Sequence, residues 1–227
     1  MSTILILISL AFLDLSKSQL VRQLTRLIHN LGGGQRGTII TWSIIFLPGT
    51  IIHEVSHFLV AAFTGARTGR VEIFPEYLED EVDSDKKGVA LGYVQTQTLN
   101  PIRGFLVGIA PFISGIALMI FLASQIQGSY EGKNYQLLII LGYLFFTIAN
   151  SFFPSWSDIK QTLPLVVISA IVGIVAWFFG FQIFYTPTTE ILALLDSLVV
   201  AIMASVGINL IIILILFLVN KTLNHRR

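Results

Sequence analysis

The sequence predicts an all-α polytopic membrane protein: a bundle of five to six transmembrane helices with a small membrane-associated β-hairpin or sheet insert. Three observations predict it. Of 227 residues, 54% are hydrophobic and only 12% charged, about half the charged share of an ordinary soluble domain. Mean hydropathy is +0.80. The apolar residues also come in blocks long enough to cross a bilayer. A formal net charge of +1 leaves no footprint for nucleic acid. Cysteine is absent, so disulfides and thiolate metal sites are excluded, and any metal must be held by His, Asp, Glu or backbone groups.

The first apolar run, residues 3–13, is short for a span. It lacks the basic flank and small-residue cleavage site of a signal peptide, and reads as a short or tilted first helix. The segment LSKSQLVRQLTRLIHNL follows, with Leu20, Leu24, Leu27 and Leu31 at helical spacing and Lys17, Arg22, Arg26 and His29 around them. That pattern predicts an amphipathic helix lying on the membrane surface, ended by the glycines at 32–34. Five longer apolar segments follow, near 38–64, 105–124, 135–153, 163–185 and 191–219. The whole reads as a single domain. Residues 1–37 form an N-terminal part, 38–160 a core carrying an insert at 65–100, and 161–227 the C-terminal helices.

Within the insert, RVEIF and VALGYVQT are rich in β-formers and flank the acidic stretch PEYLEDEVDSDKKG. The strand-like runs predict a hairpin or small sheet at the membrane face; the acidic part reads equally as a loop. If the insert is cytoplasmic, that side holds Arg67, Arg70, Lys86, Lys87, Arg103, Lys160, Lys221, Arg226 and Arg227, nine cations against five on the other. The excess favours that orientation. It places an integral, multi-pass protein with its polar site nearer the cytoplasmic face.

The chemistry starts at IIHEVSHF. His53 and His57 lie four apart, so on a helix both imidazoles face one side, a single turn apart. Glu54 projects about 100° round from His53, near enough to serve the same centre. Thr50, His53, His57, Ala61 and Thr64 form a small or polar stripe that suits packing, while Ile51, Val55 and Leu59 face the other way. This is the H-E-x-x-H arrangement, in which zinc lowers the pKa of a bound water to about 7 and the glutamate is the general base. A bland reading has the two histidines satisfied by interhelical hydrogen bonds. Against it, two of only four histidines in the chain fall at ligand spacing, and intramembrane ionisable residues are functional by default.

A catalytic zinc takes three protein ligands and leaves one place for water. Asp14, Asp158, Asp196 and, at a boundary, Glu190 are the candidates for the third. Asp158 sits in ANSFFPSWSDIKQ, where Asn150 and Pro154 break the helical pattern and Ser151, Ser155 and Ser157 are placed to satisfy freed backbone groups. In the topology above, Asp158 shares the side of the histidines and Asp196 enters from the other.

HEVSH in an apolar helix, followed by Asn150, Pro154 and Asp158, resembles the site-2 proteases, a family of intramembrane zinc metalloproteases. The stretch GFLVGIAPFISG resembles that family's Gly- and Pro-bearing middle helix, and the likeness covers residues 38–160. It implies His53, His57 and Asp158 as zinc ligands, Glu54 as catalytic base and Asn150 as a substrate- or oxyanion-binding residue. This sequence departs from the pattern in having Ile159 after the aspartate, where the family has glycine, and in placing Pro154 one position late. Gly108, Pro111 and Gly115 read independently as a close-packing face.

The expected activity is a zinc endopeptidase that cuts transmembrane or juxtamembrane segments of other membrane proteins, with residues 89–96 offering a strand edge to the substrate. Two rivals stand beside it. A protease of the prenyl-protein-processing kind uses a glutamate on a later helix as third ligand, and no later span here has an interior glutamate. A silent metal-binding scaffold that sequesters partners has no chemical need for Glu54.

Overall fold

The computed structural model describes residues 2–66, 68–72, 76–77, 89–90, 93–96, 100–181 and 188–224. Six helices carry the fold: α1 (Ser2–Asn30), α2 (Gln35–Phe63), α3 (Pro101–Glu131), α4 (Tyr135–Ser151), α5 (Trp156–Phe178) and α6 (Thr189–Asn224). All but α4 are long and apolar enough to cross a membrane. Large apolar side chains stand exposed along them, Ile139 at 72% and Val172 at 61% among them. That is costly in water and natural against lipid. The chain is a multi-pass helical membrane protein.

Two sequence expectations are corrected here. The first is the β-hairpin or sheet insert. The fold is all-helical, and the insert adds no sheet to it. Between α2 and α3, the pairing among the described residues is two separate two-stranded ladders, Thr68–Glu72 with Tyr93–Thr96 and Glu76–Tyr77 with Val89–Ala90. The longer ladder shifts register between Thr68 and Val71. Residues 91 and 92, in the middle of the expected strand, lie outside the described residues, as does most of the acidic stretch. A two-stranded ladder alone is marginal, since three strands or a covering helix are needed to make a stable element. A composition rich in β-formers is therefore not enough.

The second concerns the N-terminus. The expected short helix and surface helix are one helix of 29 residues, α1. No proline or glycine interrupts it before Gly32. Its polar side chains are not all outward. Ser9, Ser16 and Gln23 are buried, and with Asn30 they recur every seventh residue, a spacing that keeps them on one face. That face lies along α6: Asn209 Nδ2 donates to Ser16 Oγ at 2.9 Å, and Asn220 Nδ2 to the Gln23 carbonyl at 3.0 Å. Rising positions on α1 thus meet rising positions on α6, so the two helices run parallel.

The same test orders the remaining helices. Tyr143 donates to the Ile45 carbonyl at 2.8 Å, and His53 hydrogen-bonds the Ser151 carbonyl, so α2 and α4 are parallel. Gly115 packs on Phe152 and Gly108 on Asp158 and Thr162, so α4 and α5 both run against α3 and form one crossing broken near residue 153. The C-terminal end of α6, with Lys221, then lies beside the α1–α2 turn, at the opposite end from the insert. The charge excess that favoured a cytoplasmic insert loses this C-terminal contribution.

Candidate metal centre

Each histidine is oriented by a backbone carbonyl that has lost its helical donor. His57 Nδ1 lies 2.8 Å from the Val107 carbonyl on α3. The regular partner of that carbonyl is the N–H four residues on, which is Pro111, and proline has none. His53 Nδ1 lies 2.8 Å from the Ser151 carbonyl at the last residue of α4. Its regular partner, the Ser155 N–H, donates instead to Asp158 Oδ2 at 2.6 Å. A carbonyl only accepts, so both Nδ1 atoms carry hydrogen and each neutral ring presents Nε2 as a lone pair.

Asp158 arrives from α5. Ser155 caps that helix, and Asp158 completes the capping box as its third residue, which holds the carboxylate at the helix start. Gly108 makes the approach feasible: a Cβ there would lie 2.7 Å from the Asp158 carbonyl oxygen and 2.7 Å from Thr162 Cγ2. Gly49 likewise lets α2 lie directly on the Thr147 carbonyl of α4, and Gly115 admits Phe152. The stripe Gly108–Pro111–Gly115 thus serves close packing, and its proline also frees the carbonyl that aims His57.

The result is a compact buried cluster. His57 Nε2 lies 3.1 Å from Asp158 Oδ1, and His53 Nε2 lies 3.4 Å from Oδ2. The three residues bring one ligand atom each within 4.8 Å of one another. With both Nδ1 atoms donating elsewhere, the imidazole and carboxylate atoms confront each other as acceptors until a cation, a proton or a metal ion, lies between them. The dimensions fit a metal. Two ligands at about 2.0–2.1 Å from a tetrahedral ion sit about 3.3 Å apart, and the two Nε2–Oδ separations straddle that value. The donor set, two imidazoles and a carboxylate with no sulfur, suits zinc.

Glu54 is 6% exposed. Among the described residues it has no hydrogen bond, and it lies within electrostatic range of His53, His57 and Asp158. Ile51, Val55 and Leu59 are on the exposed side of α2, as the face reading expects. Asp14, Asp196 and Glu190 are exposed and outside the cluster. Asn150 is buried one residue before the His53 anchor, with its amide engaged elsewhere. It donates to the Phe146 carbonyl at 2.9 Å and exchanges hydrogen bonds with Asn209 at 2.9 and 3.0 Å.

Sequence reasoning missed the Val107 and Ser151 carbonyls as anchors of the histidines, and the Ser56–Ser114 hydroxyl pair that ties α2 to α3 at 2.6 Å. Pro111, four residues after Val107, was the available signal for the first. Compared with models of protein families, with curated proteins and with solved structures, the chain matches none.

Proposed function

We propose that this protein is an intramembrane zinc endopeptidase acting on transmembrane or juxtamembrane segments of membrane proteins. One observation carries the reading. Two imidazoles with their Nδ1 atoms anchored on backbone carbonyls turn both Nε2 atoms to the Asp158 carboxylate, beside an unengaged Glu54, inside a membrane-spanning bundle. His53, His57 and Asp158 would hold the ion. Bound there, zinc supplies Lewis-acid polarisation of a peptide carbonyl and activation of a water.

The remaining steps belong to the chain itself. The Nδ1–carbonyl bonds fix the tautomer and aim of each ring and raise its basicity. The Glu54 carboxylate accepts a proton from the attacking water and returns it to the leaving amine, the general acid–base role. The apolar helices keep bulk water away, so His57, about 10 Å along α2 from Thr64, is out of reach of soluble proteins. Asn150 is not assigned a substrate role, because its amide is committed to Asn209. The cytoplasmic orientation of the site forms no part of the proposal, because Lys221, one of the cations that favoured it, lies at the opposite end of the bundle from the insert.

A silent metal-binding scaffold is the second reading; the buried and unpartnered Glu54 favours the enzyme. The deciding experiment incubates purified, zinc-loaded protein with a model transmembrane substrate in detergent micelles. Wild type should cleave it. Glu54→Gln should keep its zinc and lose activity by about 10²–10⁴, the usual share of a general base. Zinc binding without turnover by wild type would favour the scaffold.

A further inference from the structure

Far from the metal centre, where α1 and α6 end and α2 begins, lies a second polar site, a half-open cavity of about 930 Å³. Arg26, His29 and Lys221 line it, together with amides such as Asn220, and no aspartate or glutamate does. Among the described residues none of these three basic side chains has a hydrogen bond or ion pair. Cations are favourable near the C-terminal ends of α1 and α6, but here they surround open space instead of closing on carbonyls. Gly34, the N-cap of α2, supplies no side-chain cap, and with Gln35 it lines the same cavity, which brings the positive end of that helix to the site.

Ile39 and Phe217 give the cavity an apolar wall, and it lies where three candidate spans end, the level of lipid headgroups. Cations with no hydrogen bond or ion pair among the described residues, the N-terminal end of α2 and an apolar wall together match a phosphodiester with an acyl tail attached. We infer that this cavity binds the phosphate headgroup of an anionic phospholipid, as basic pockets between transmembrane helices do elsewhere.

The test is native mass spectrometry of the full chain released from micelles holding equal phosphatidylglycerol and phosphatidylcholine. Wild type should retain phosphatidylglycerol in about tenfold preference, and Arg26→Gln with Lys221→Gln should lose that preference, given roughly fivefold per cation. Arg26→Lys with Lys221→Arg should keep it. So should Arg22→Gln, which removes an exposed cation of α1 that does not line the cavity. If the glutamine pair does not fold, the two single variants carry the test, each losing about fivefold. Equal retention of both lipids by wild type, or an Arg22→Gln loss as large as the double variant's, overturns the inference. A water-soluble glycerol phosphate arm separates the sources: occupancy by it, without preference for phosphatidylglycerol, makes this a soluble-phosphate site and overturns the lipid assignment.

Discussion

Two buried polar clusters lie side by side in this bundle, and they differ in whether their hydrogen bonding closes. In the amide ladder, Ser16, Asn150 and Asn209 spend their hydrogens on one another and on local carbonyls. Asn150 gives to the Phe146 carbonyl and Asn209, Asn209 gives to Asn150 and Ser16, and Ser16 gives to the Leu13 carbonyl. One residue along α4, the second cluster does not close. His53 and His57 give to carbonyls on one side and meet only acceptors on the other. Buried polar groups are normally satisfied, so a self-sufficient cluster needs nothing further, whereas an open one calls for a cation. The first is glue between helices; the second is a site.

The largest effect should come from removing an acceptor of the open cluster. Asp158→Ala leaves two imidazoles and should weaken zinc binding by more than about 100-fold, the upper end for loss of an outer-sphere group. Asp196→Ala, remote and exposed, should keep near-stoichiometric zinc. Elemental analysis of the dialysed proteins decides it, and retention by Asp158→Ala together with loss by Asp196→Ala would reverse the assignment.

A smaller effect, opposite in two readouts, should follow from Pro111→Ala. Alanine gives α3 back an N–H that competes for the Val107 carbonyl, so His57 loses part of its anchor while the helix gains a hydrogen bond. Zinc affinity should fall about tenfold, with resistance to unfolding unchanged or raised. A chelator competition titration beside a denaturant melt would show the divergence. Loss of both together would mean that Pro111 acts through packing alone.

How far the sequence foretells these clusters follows from what each is made of. The grouping of His53, His57 and Asp158 was legible because ligand spacing on a helix and a proline-broken turn at depth are side-chain patterns. The carbonyls that aim the rings belong to Val107 and Ser151, whose side chains say nothing of it; only a proline four residues on marks the first. The ladder was legible in part. Ser9, Ser16, Gln23 and Asn30 recur every seventh residue, but Leu20 and Leu24, buried on the same side of the helix, drew the reading to an apolar stripe instead. The course of α6, and so the end that carries Lys221, depends on Asn209 and Asn220 finding partners nearly 200 residues away in the chain. The insert was overread: β-forming residues were counted as a hairpin or sheet, whereas the described residues pair only as two short two-stranded ladders, each marginal by itself.

The finest test of the comparison lies in the ladder itself. Asn209→Leu strands the Asn150 amide in an apolar setting. An unpaired buried polar group costs about 1–3 kcal/mol, tempered in membranes, where polar pairs average about 0.6 kcal/mol; a loss near 1 kcal/mol is expected. Replacing both partners, Asn150→Leu with Asn209→Leu, leaves only the Ser16 hydroxyl, which still has its own carbonyl, and should restore most of that loss. Zinc stoichiometry should be unchanged in either protein, because the ladder lends the metal cluster no donor. Reversible unfolding in mixed micelles measures the first expectation and metal analysis the second. The informative failure is a double variant that regains stability yet turns over a cleavable substrate far more slowly than wild type. Asn150 would then serve the reaction directly, and the ladder would be an inactive arrangement of a residue that belongs to the site.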